Sequence, residues 1–551
     1  MYPKNWLCLI NAIAKKGRLE LPKFVRFITI MGIFEKLYQT ILCRRVYSFL
    51  KIPPNQTAYQ KFKGCNLHVM STRLLKRLTI KTKQKLYIIF TDFEAAFDLV
   101  SRKILFEKLV KLGISTVMLS ALIAIYVASE SVIEHRGEYS DYVVLLCGIK
   151  QGAPPSGILY VAYTMCIVNV FEGSFHPEPL ISIYHLLIHA DDILMLATSR
   201  VLAIKKLKCL MNYCKENYIK LQITKCAMMC VNSNDPTDKE AIEVDGMKLE
   251  STESEVYLGS VITDSPKFIS DVEADIKQRR ISIVKFFAFL RSNKNAPVSI
   301  KLKVLDSCVA SILHNSETWA DTNIERLEVT YRRMLKAILG VRMTTVTDLL
   351  YVELGVCSIK TQVLMRQWNF WKKVMELDER DPLAYVVAEA KRYKLKEVKH
   401  YEQLMTKYAT GDELRKKFEL DTRTRIINNA EKNRSKFKTY LTVNPHLETP
   451  KVFNKLYYHK NISMMAKLRM SAHNLQIEMG RRTGTPANLR KCHCGEMEDE
   501  RHFLLQCRRY ADIRARYAIG VNMKVNEILD DSACVEYVNR LYDRRSECIG
   551  G

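Results

Sequence analysis

The chain has 551 residues, of which 48% are hydrophobic, enough to bury one large core or several smaller ones. It carries 85 Lys and Arg against 59 Asp and Glu, a net charge of +26, which favours a polyanionic partner, nucleic acid before a membrane. No run approaches the roughly 20 apolar residues of a membrane span. The 16 cysteines are mostly scattered, which argues against a secreted disulfide scaffold and for an intracellular protein. A basic protein without a specific ligand is the simpler alternative.

Strands and helices alternate between about residues 81 and 263. The segment "KLYIIFTDF" predicts a strand ending at Asp92, followed by a helix that Ser101 can cap and Gly113 can end. The segment "LLIHADDILMLATS" predicts a hairpin with Asp191 and Asp192 at or beside its turn. The face of the next predicted helix consists of Leu207, Leu210, Met211, Cys214 and Tyr218. Two strand segments, "CAMMCV" and "EVYLGSVIT", complete an α+β domain in which helices pack on a sheet.

After residue 265 the pattern becomes mainly helical. Ser270 and Glu273, in "SDVE", fit a capping box at the start of a helical face. Residues 391–440 hold more than twice as many Lys and Arg as Asp and Glu, with few strand signals. This composition predicts a basic helical linker, and an ordinary solvated helix face is the alternative for any single charge.

Three carboxylates form the first candidate site. Asp92 ends a predicted strand, while Asp191 and Asp192 stand side by side in an apolar run, where like charges are costly unless they are compensated. Divalent cations such as Mg²⁺ prefer oxygen ligands and keep positions free for phosphate oxygens. Two such ions can activate an attacking hydroxyl and stabilise a leaving pyrophosphate. A common Asp-Asp turn without a metal is the alternative.

The order of the motifs resembles the reverse transcriptases of non-LTR (LINE-type) retrotransposons. The matching segments are "WLCLINAIAKKG" with "VRFITI", "NQTAYQKFKG", "FTDFEAAFDLV", "GIKQGAPPSGILY", "IHADDILMLA", "LQITKCAMM", "VYLGSVITD", "SETW", "ELGV" and "RQWNFW". Each motif alone is weak evidence, but this many in the family's order are specific. The resemblance implies a right-hand polymerase with a helical C-terminal extension. The implied parts are fingers and palm (1–265), a helical thumb (266–385), a basic helical linker (386–450) and a C-terminal region (451–551) with a zinc knuckle at about 488–512.

The resemblance also implies roles for individual residues. Asp92, Asp191 and Asp192 would hold two Mg²⁺ ions, and Lys225 would act as a general acid near the departing pyrophosphate. Phe97 would favour deoxynucleotides by clashing with a 2′-hydroxyl. The nucleotide and template site would further include Gln151, Gly152 and His189, and the primer grip would comprise Tyr257, Leu258 and Gly259. Without the motif order, Phe97 would be taken as core and Lys225 as a solvated charge.

Some positions depart from the family's pattern. His189 stands where Tyr or Phe is usual, Ala95 replaces a common Lys, and Gly157 replaces a common Pro. The segment "HNSETW" lacks the usual Tyr-Gly before Ser316. The family's upstream endonuclease is absent from these residues, which suggests a 5′-truncated copy. His189, the missing endonuclease and the residues lost before Ser316 favour the alternative of a catalytically decayed or co-opted nucleic-acid-binding protein. A third possibility, an RNA-dependent RNA polymerase, conflicts with Phe97.

A second candidate metal site lies near the C-terminus. The segment "KCHCGEMEDERHFLLQC" places Cys492, Cys494, His502 and Cys507 at spacings that suit a closed, structural Zn²⁺ site. Cys492 and Cys494 are closer in sequence than the usual first pair of zinc ligands, and His493 is a rival ligand. The alternative to a zinc site is a chance clustering of reduced cysteines. The surrounding sequence resembles the zinc-knuckle region of these retrotransposons. This implies contacts with RNA or DNA through the flanking residues Arg481, Arg482, Arg508 and Arg509.

The prediction is therefore an RNA-directed DNA polymerase that adds deoxynucleotides to a primer 3′-hydroxyl. Its expected partners are an RNA template, a DNA primer or target and deoxynucleoside triphosphates, with no membrane partner. A nuclear site of action is expected from the family alone.

Overall fold

The structure is a computed structural model that describes residues 8–14, 25–127, 130–320, 322–454 and 459–550. The predicted fingers segment falls partly on residues 1–7 and 15–24, which lie outside the described residues. The chain divides into two compact units, Met1–Asp275 with Lys372–Lys399, and Ile276–Trp371 with His400–Gly551. The names fingers, palm, thumb and linker, with their boundaries, stay predictions.

In the described residues the strands are β1 (Cys8–Ala14), β2 (Val25–Ile30), β3 (Leu86–Thr91), β4 (Ser131–His135), β5 (Glu138–Tyr139), β6 (Leu186–His189), β7 (Asp192–Ala197), β8 (Ala227–Val231), β9 (Ile242–Val244), β10 (Met247–Leu249), β11 (Ser254–Tyr257) and β12 (Ser260–Thr263). All of them belong to the first unit.

The helices up to residue 312 are α1 (Ile33–Phe49), α2 (Cys65–Thr82), α3 (Arg102–Lys111), α4 (Thr116–Val127), α5 (Ser156–Thr164), α6 (Cys166–Ser174), α7 (Arg200–Glu216), α8 (Phe268–Gln278), α9 (Arg280–Ser292) and α10 (Val298–Ile312). The later helices are α11 (Glu325–Leu339), α12 (Thr347–Leu354), α13 (Ile359–Met375), α14 (Pro382–Arg392), α15 (Lys396–Lys407), α16 (Gly411–Glu431), α17 (Ser435–Val443), α18 (His459–Arg469), α19 (Gln476–Thr483), α20 (Ala511–Arg516), α21 (Val525–Asp530) and α22 (Val535–Gly550). The mainly helical character predicted after residue 265 is confirmed.

The central sheet of the first unit has the strand order β6–β7–β3–β8, with antiparallel neighbours throughout. Strand β3 is buried at every position, as its unbroken apolar sequence requires of a central strand covered on both faces. Thr91 pairs with Ile193, so Asp92, the next residue, lies beside the turn between β6 and β7. The predicted strand, hairpin and later strand segments are confirmed.

Three local predictions are wrong. Ser101 occupies the N-cap position of α3, but its side chain accepts no capping hydrogen bond. Helix α8 begins at Phe268, so Ser270 lies inside its first turn and does not cap it. Phe268 is buried, and burial of its side chain starts the helix before Ser270, the residue with the capping signal. Helix α7 ends at Glu216, and Tyr218 follows it with a left-handed φ of +52° and a side chain that is 73% exposed. Tyr218 therefore does not share the buried face of Leu207 and Leu210.

One stretch is longer and more apolar than the sequence analysis allowed. Ser156–Ser174 is long and apolar enough to cross a membrane by length and composition, and 67% of it is buried inside the protein. Leu159, Tyr160 and Tyr163 belong to a hydrophobic cluster together with residues of α3 and α4. Such burial is what the core helices of a globular unit require, so the stretch is weak evidence for a membrane span.

The segment 386–450, predicted as a basic linker, is helical and well packed. Leu404, Leu414, Ile426 and Tyr440 are all buried. The boundary between the two units falls inside it, between Lys399 and His400. The segment thus combines a basic surface with an apolar interior.

A buried ion-pair network joins α2 to α8 and to β12. Arg73 Nη2 lies 2.6 Å from Asp275 Oδ2, and Lys76 Nζ lies 2.6 Å from Asp271 Oδ1. All four side chains are at most 2% exposed. Asp271 also accepts hydrogen bonds from the amide and hydroxyl of Thr263. The network therefore fixes the hairpin β11–β12 against two helices.

We expect Asp271→Asn to lower the free energy of unfolding by about 3 to 5 kcal/mol, because it leaves the buried ammonium of Lys76 without a countercharge. Urea unfolding of the purified chain measures this loss. Asp245→Asn is the matched control, since Asp245 pairs with Lys208 at 3.4 Å at the surface, where a pair contributes less than about 1 kcal/mol. Equal losses in both variants would contradict the expectation.

Candidate active site

Three carboxylates meet at one end of the central sheet. Asp92 follows β3 directly, Asp191 lies in the β6–β7 turn, and Asp192 begins β7, paired with His189. The turn is tight because Ala190 adopts a left-handed φ of +58°. All three carboxylates are half-buried, so they share a site that stays open on one side. The sequence prediction that Asp92 joins the Asp191–Asp192 pair is consistent with this geometry.

Burial and neighbouring charges raise the pKa of two of these carboxylates, Asp191 and Asp192. Burial, followed by the charges of Asp191 and Asp92, raises the pKa of Asp192 to about 7. Burial also raises the pKa of Asp191, and the positive charges of Lys225 and Arg26 oppose that rise. Lys225 forms an ion pair with Asp92. The lysine therefore offsets part of the negative charge.

A short segment before α2 holds the hairpin in place. Ile188 donates its amide to the carbonyl of Asn55 at 2.8 Å, and Thr57 donates its amide to the carbonyl of Ile188 at 2.9 Å. Gln56 Oε1 accepts from the amide of Ala190 at 3.1 Å, directly before the two aspartates. Sequence reasoning identified "NQTAYQKFKG" as a family block but missed this contact, because strand pairing over such a sequence distance leaves no local signal.

The Phe97 and Gln151 motifs lie side by side. Ile149 donates its amide to the carbonyl of Phe97 at 2.8 Å, and Gln151 Nε2 donates to Asp98 Oδ1 at 2.9 Å. The Phe97 ring stacks on Tyr160, with centroids 4.9 Å apart and planes 14° apart. Tyr160 is buried and lies within electrostatic range of Asp191. Phe97 is thus a half-buried ring, neither plain core nor fully exposed, and it stacks on a tyrosine that is within electrostatic range of Asp191.

Gly152 has to be glycine in this arrangement. Its φ is +103°, and a Cβ atom there would lie 2.8 Å from the carbonyl oxygen of Thr29 on β2. The amide of Thr29 in turn donates to the carbonyl of Gln151 at 2.7 Å. The turn around Gly152 therefore runs in direct contact with the backbone of β2.

A cavity of about 540 Å³ opens beside the carboxylates. Four of the predicted site residues line it, namely Asp92, Asp192, Lys225 and Tyr257. Tyr257 is buried, and its ring lies edge-on to Phe90 at a centroid distance of 6.0 Å. Leu258 and Gly259 form the turn after it, with φ of +49° and +75°, and do not line the cavity. Of the three predicted primer-grip residues, Tyr257 is therefore the one that lines the cavity.

Three residues near the carboxylates were not predicted as site residues. The charge of Arg26, exposed on β2, acts on Asp191. The ring of Tyr59 lies where a Cβ on Gly157 would clash with it at 2.5 Å, and Asp191 is among the charges that raise its pKa, after burial. Thr57 Oγ1 lies 3.0 Å from Nδ1 of His189. The Tyr59 contact explains why glycine fits at position 157, where the family often has proline.

The donor set suits a divalent cation. Carboxylate oxygens are the ligands that Mg²⁺ prefers, and three half-buried carboxylates at one sheet end favour a bound positive charge. The half-open site leaves room for oxygens other than those of the protein. Asp92, Asp191 and Asp192 are the side chains that could hold such ions.

The C-terminal Cys and His residues also come together, in the second unit. One ligand atom from each of Cys492, Cys494, His502 and Cys507 lies within 4.8 Å of the others. Cys494 Sγ is 3.2 Å from His502 Nε2, and Cys492 Sγ is 3.8 Å from Cys507 Sγ. His493, the rival ligand, is exposed and outside the cluster. The cluster is compatible with zinc, whose tetrahedral sites use this donor set.

The surroundings of the cluster make it rigid. Glu498 accepts two hydrogen bonds from Arg545, at 2.7 and 2.8 Å, in a buried ion pair. Glu500 accepts from His473 Nε2 at 2.9 Å. Both acidic residues stand between the two halves of the Cys and His motif, so α22 and the segment before α19 brace it.

The arginines that flank the cluster differ in their surroundings. Arg481 pairs with Glu478, and Arg508 donates to the carbonyl of Cys494 at 3.0 Å. Arg482, Arg508 and Arg509 are exposed, while Arg481 is half-buried. Their contact with nucleic acid stays a prediction.

Comparison with known proteins agrees with this site. Residues 13–262 match the family described as "Reverse transcriptase (RNA-dependent DNA polymerase)". Over 266 residues the chain is 26% identical to the "Retrovirus-related Pol polyprotein from type-1 retrotransposable element R2" of Popillia japonica. That alignment covers 46% of this chain and 36% of the relative. The chain thus spans about a third of the length of the curated relative that it matches.

Solved structures give more distant likenesses. The chain is 12% identical to apo telomerase from Candida tropicalis, with 70% of this chain and 68% of that chain covered and a TM-score of 0.38. It is also 12% identical to telomerase from Candida albicans in complex with a fragment of telomeric RNA, with 70% and 66% covered and a TM-score of 0.32. At these scores the assignment depends on the sequence matches. Residues 13–262 thus match a reverse transcriptase family, and part of the chain is similar to the polyprotein of a type-1 retrotransposable element.

Proposed function

We propose that this protein is an RNA-directed DNA polymerase of a non-LTR retrotransposon. The observation that carries the proposal is the meeting of Asp92, Asp191 and Asp192 at the open end of one sheet, inside a matched reverse transcriptase domain. The reaction is the transfer of a deoxynucleotide to a primer 3′-hydroxyl, with pyrophosphate released. The template is RNA and the primer is DNA.

Each residue of the site has a part in this reaction. Two divalent cations held by the three aspartates would activate the primer hydroxyl and stabilise the leaving pyrophosphate. Lys225 lines the same cavity with a side chain that is 58% exposed, and it forms an ion pair with Asp92. A mobile ammonium in that position can give a proton to pyrophosphate. The positive charge of Arg26 faces the same region and suits a triphosphate.

Phe97 supports the preference for deoxynucleotides. Its ring is fixed by stacking on Tyr160 and by the backbone contact with Ile149, so it cannot move away easily. A fixed aromatic edge next to the sugar would clash with a 2′-hydroxyl. This is the argument against an RNA-dependent RNA polymerase.

The alternative is a nucleic-acid-binding protein that has lost turnover. His189, the missing endonuclease and the residues lost before Ser316 favoured it, but His189 is hydrogen-bonded to Thr57, and Gly157, another departure, fits against Tyr59. The net charge of +26 supports binding to nucleic acid in either case. Catalysis by the intact carboxylate site is therefore the better proposal, and a nuclear site of action stays a prediction.

We also propose that Cys492, Cys494, His502 and Cys507 hold a structural Zn²⁺ ion. Four protein ligands fill a tetrahedral site, so the ion would brace the fold without an open position for chemistry. Exposed arginines beside the cluster would contact the backbone of RNA or DNA.

We expect Asp191→Asn and Asp92→Asn each to lower primer extension on an RNA template by at least about a thousandfold, because each removes a charged ligand worth several kcal/mol in the transition state. Steady-state incorporation of a single dNTP with Mg²⁺ measures the effect. Asp245→Asn is the matched control, since Asp245 is exposed and pairs only with the surface residue Lys208 among the described residues. Wild-type protein that does not exceed Asp191→Asn would identify the protein as a binder.

We expect Phe97→Ala to raise the ratio of NTP to dNTP incorporation by about tenfold or more, because it removes the ring that excludes the 2′-hydroxyl. The kcat/KM values for one NTP and its dNTP give the ratio. Phe106→Ala removes a ring that also lies beside a tyrosine, Tyr126, and should leave the ratio unchanged. A wild-type enzyme that already accepts both nucleotides equally would contradict the assignment of Phe97.

We expect the purified chain to contain about one zinc ion, and Cys494→Ser to lose most of it on dialysis, because three remaining ligands bind far more weakly than four. Mass spectrometry of the metal content measures this. His493→Ala should keep the ion, since His493 lies outside the cluster. Loss of zinc from His493→Ala, or wild-type protein without zinc, would count against the site.

A further inference from the structure

A chain of three polar groups leads from the interior of the first unit to the carboxylate site. Thr57 Oγ1 lies 3.0 Å from Nδ1 of His189 and 3.5 Å from Nδ1 of His68. His68, on α2, is 1% exposed, and His189 is half-buried at the end of β6. These three residues come from three separate segments, so tertiary packing alone has brought them together.

The hydroxyl limits how the protons can be arranged. Thr57 has one proton to donate, so it can donate to only one of the two Nδ1 atoms and must accept from the other. If it donates to His189, then His68 carries its proton on Nδ1 and His189 carries its own on Nε2. If it donates to His68, then His68 carries its proton on Nε2.

The environment of His68 selects between the two arrangements. Its Nε2 atom is buried and has no hydrogen-bond partner. A buried N–H group without an acceptor is costlier than a buried acceptor without a donor, so the proton belongs on Nδ1. Complete burial also lowers the pKa of His68 to about 3, which keeps the ring neutral. The direction of donation therefore runs from His68 to Thr57 to His189.

We propose that this relay fixes His189 as a hydrogen-bond donor through Nε2, aimed at a phosphate or sugar oxygen bound in the active site. Among the described residues, Nε2 of His189 has no hydrogen-bond partner. It is not among the buried polar atoms without a partner, so this nitrogen is not buried. It stands two residues from Asp191, where the family usually has an aromatic ring. Thr57 and His68 are positioning residues, because they act on the ligand only through His189.

The proposal rests on the proposed function in one respect, namely that nucleic acid or nucleotide binds at the Asp191–Asp192 turn, beside the cavity that Asp192 lines and His189 does not. The oxygen could belong to the primer strand or to the incoming nucleotide, and the two sources predict different measurements. A donor to the primer strand strengthens binding of the primer–template. A donor to the nucleotide lowers the KM for dNTP.

The first test needs no activity. Nitrogen NMR of the full chain with ¹⁵N-labelled histidine distinguishes a protonated from an unprotonated ring nitrogen, and His68→Phe and His189→Phe assign the signals. We expect His68 protonated on Nδ1 and His189 on Nε2. Thr57→Val should change the His189 signals, and Thr57→Ser should keep them, because serine retains the hydroxyl. The opposite tautomer at either histidine would overturn the proposal.

The second test measures the function of the donor. We expect His189→Phe to weaken primer–template binding, or to raise the KM for dNTP, by about tenfold, as the loss of a hydrogen bond to a charged oxygen implies. Thr57→Val should change the same constant in the same direction, and Thr57→Ser should not. If neither constant changes in His189→Phe, the proposal is wrong.

The two tests also separate this proposal from the proposed function. Wild-type protein that binds primer–template without extending it would contradict the polymerase, but binding would still report on His189. A folded Thr57→Val variant is confirmed by an unchanged circular dichroism spectrum. Should it fail to fold, His189→Phe, whose ring fits the family's usual residue, provides the measurement.

Discussion

The gathering of three half-buried carboxylates at one end of the central sheet is the constraint on which the candidate active site depends. Burial, and after it the neighbouring carboxylates, raises the pKa of Asp191 and of Asp192, so the backbone that carries them has to be held firmly. The surrounding contacts supply that rigidity. β3 lies between two partners, Gln56 binds the turn, and Lys225 offsets part of the charge. A bound cation would stabilise this site strongly, because its positive charge would offset carboxylates that the fold already holds together.

The sequence predicted the parts of this site that depend on local patterns. The apolar run of β3 followed by Asp92, and the double aspartate within an apolar hairpin, are visible within ten or fifteen residues. The exact pairing of Thr91 with Ile193 did not follow from these patterns, because β3 is buried at every position and its sequence does not alternate. The motif order then identified the family, which no single pattern could do.

The contacts between distant segments could not be predicted. Thr57 and His189 are 132 residues apart, and Arg73 and Asp275 are 202 apart, with no periodicity to join them. The errors have a related cause. Ser270 has a sound local capping signal, but burial of Phe268 starts the helix earlier. Local propensity is worth a fraction of a kcal/mol per residue, whereas burying a large apolar side chain is worth about 2 kcal/mol, so packing decides.

The two metal-compatible sites differ in the way that their chemistry requires. The carboxylates are half-buried beside a cavity of about 540 Å³, so a hard cation there keeps positions for substrate oxygens. The Cys and His ligands are mostly buried and number four, so a softer cation there is closed off by the protein. A catalytic metal site has to stay open to substrate, with some ligand positions free, whereas a structural metal site is closed and filled by protein ligands. The chain meets them with different donor atoms in separate units, which is why neither site could take over the role of the other.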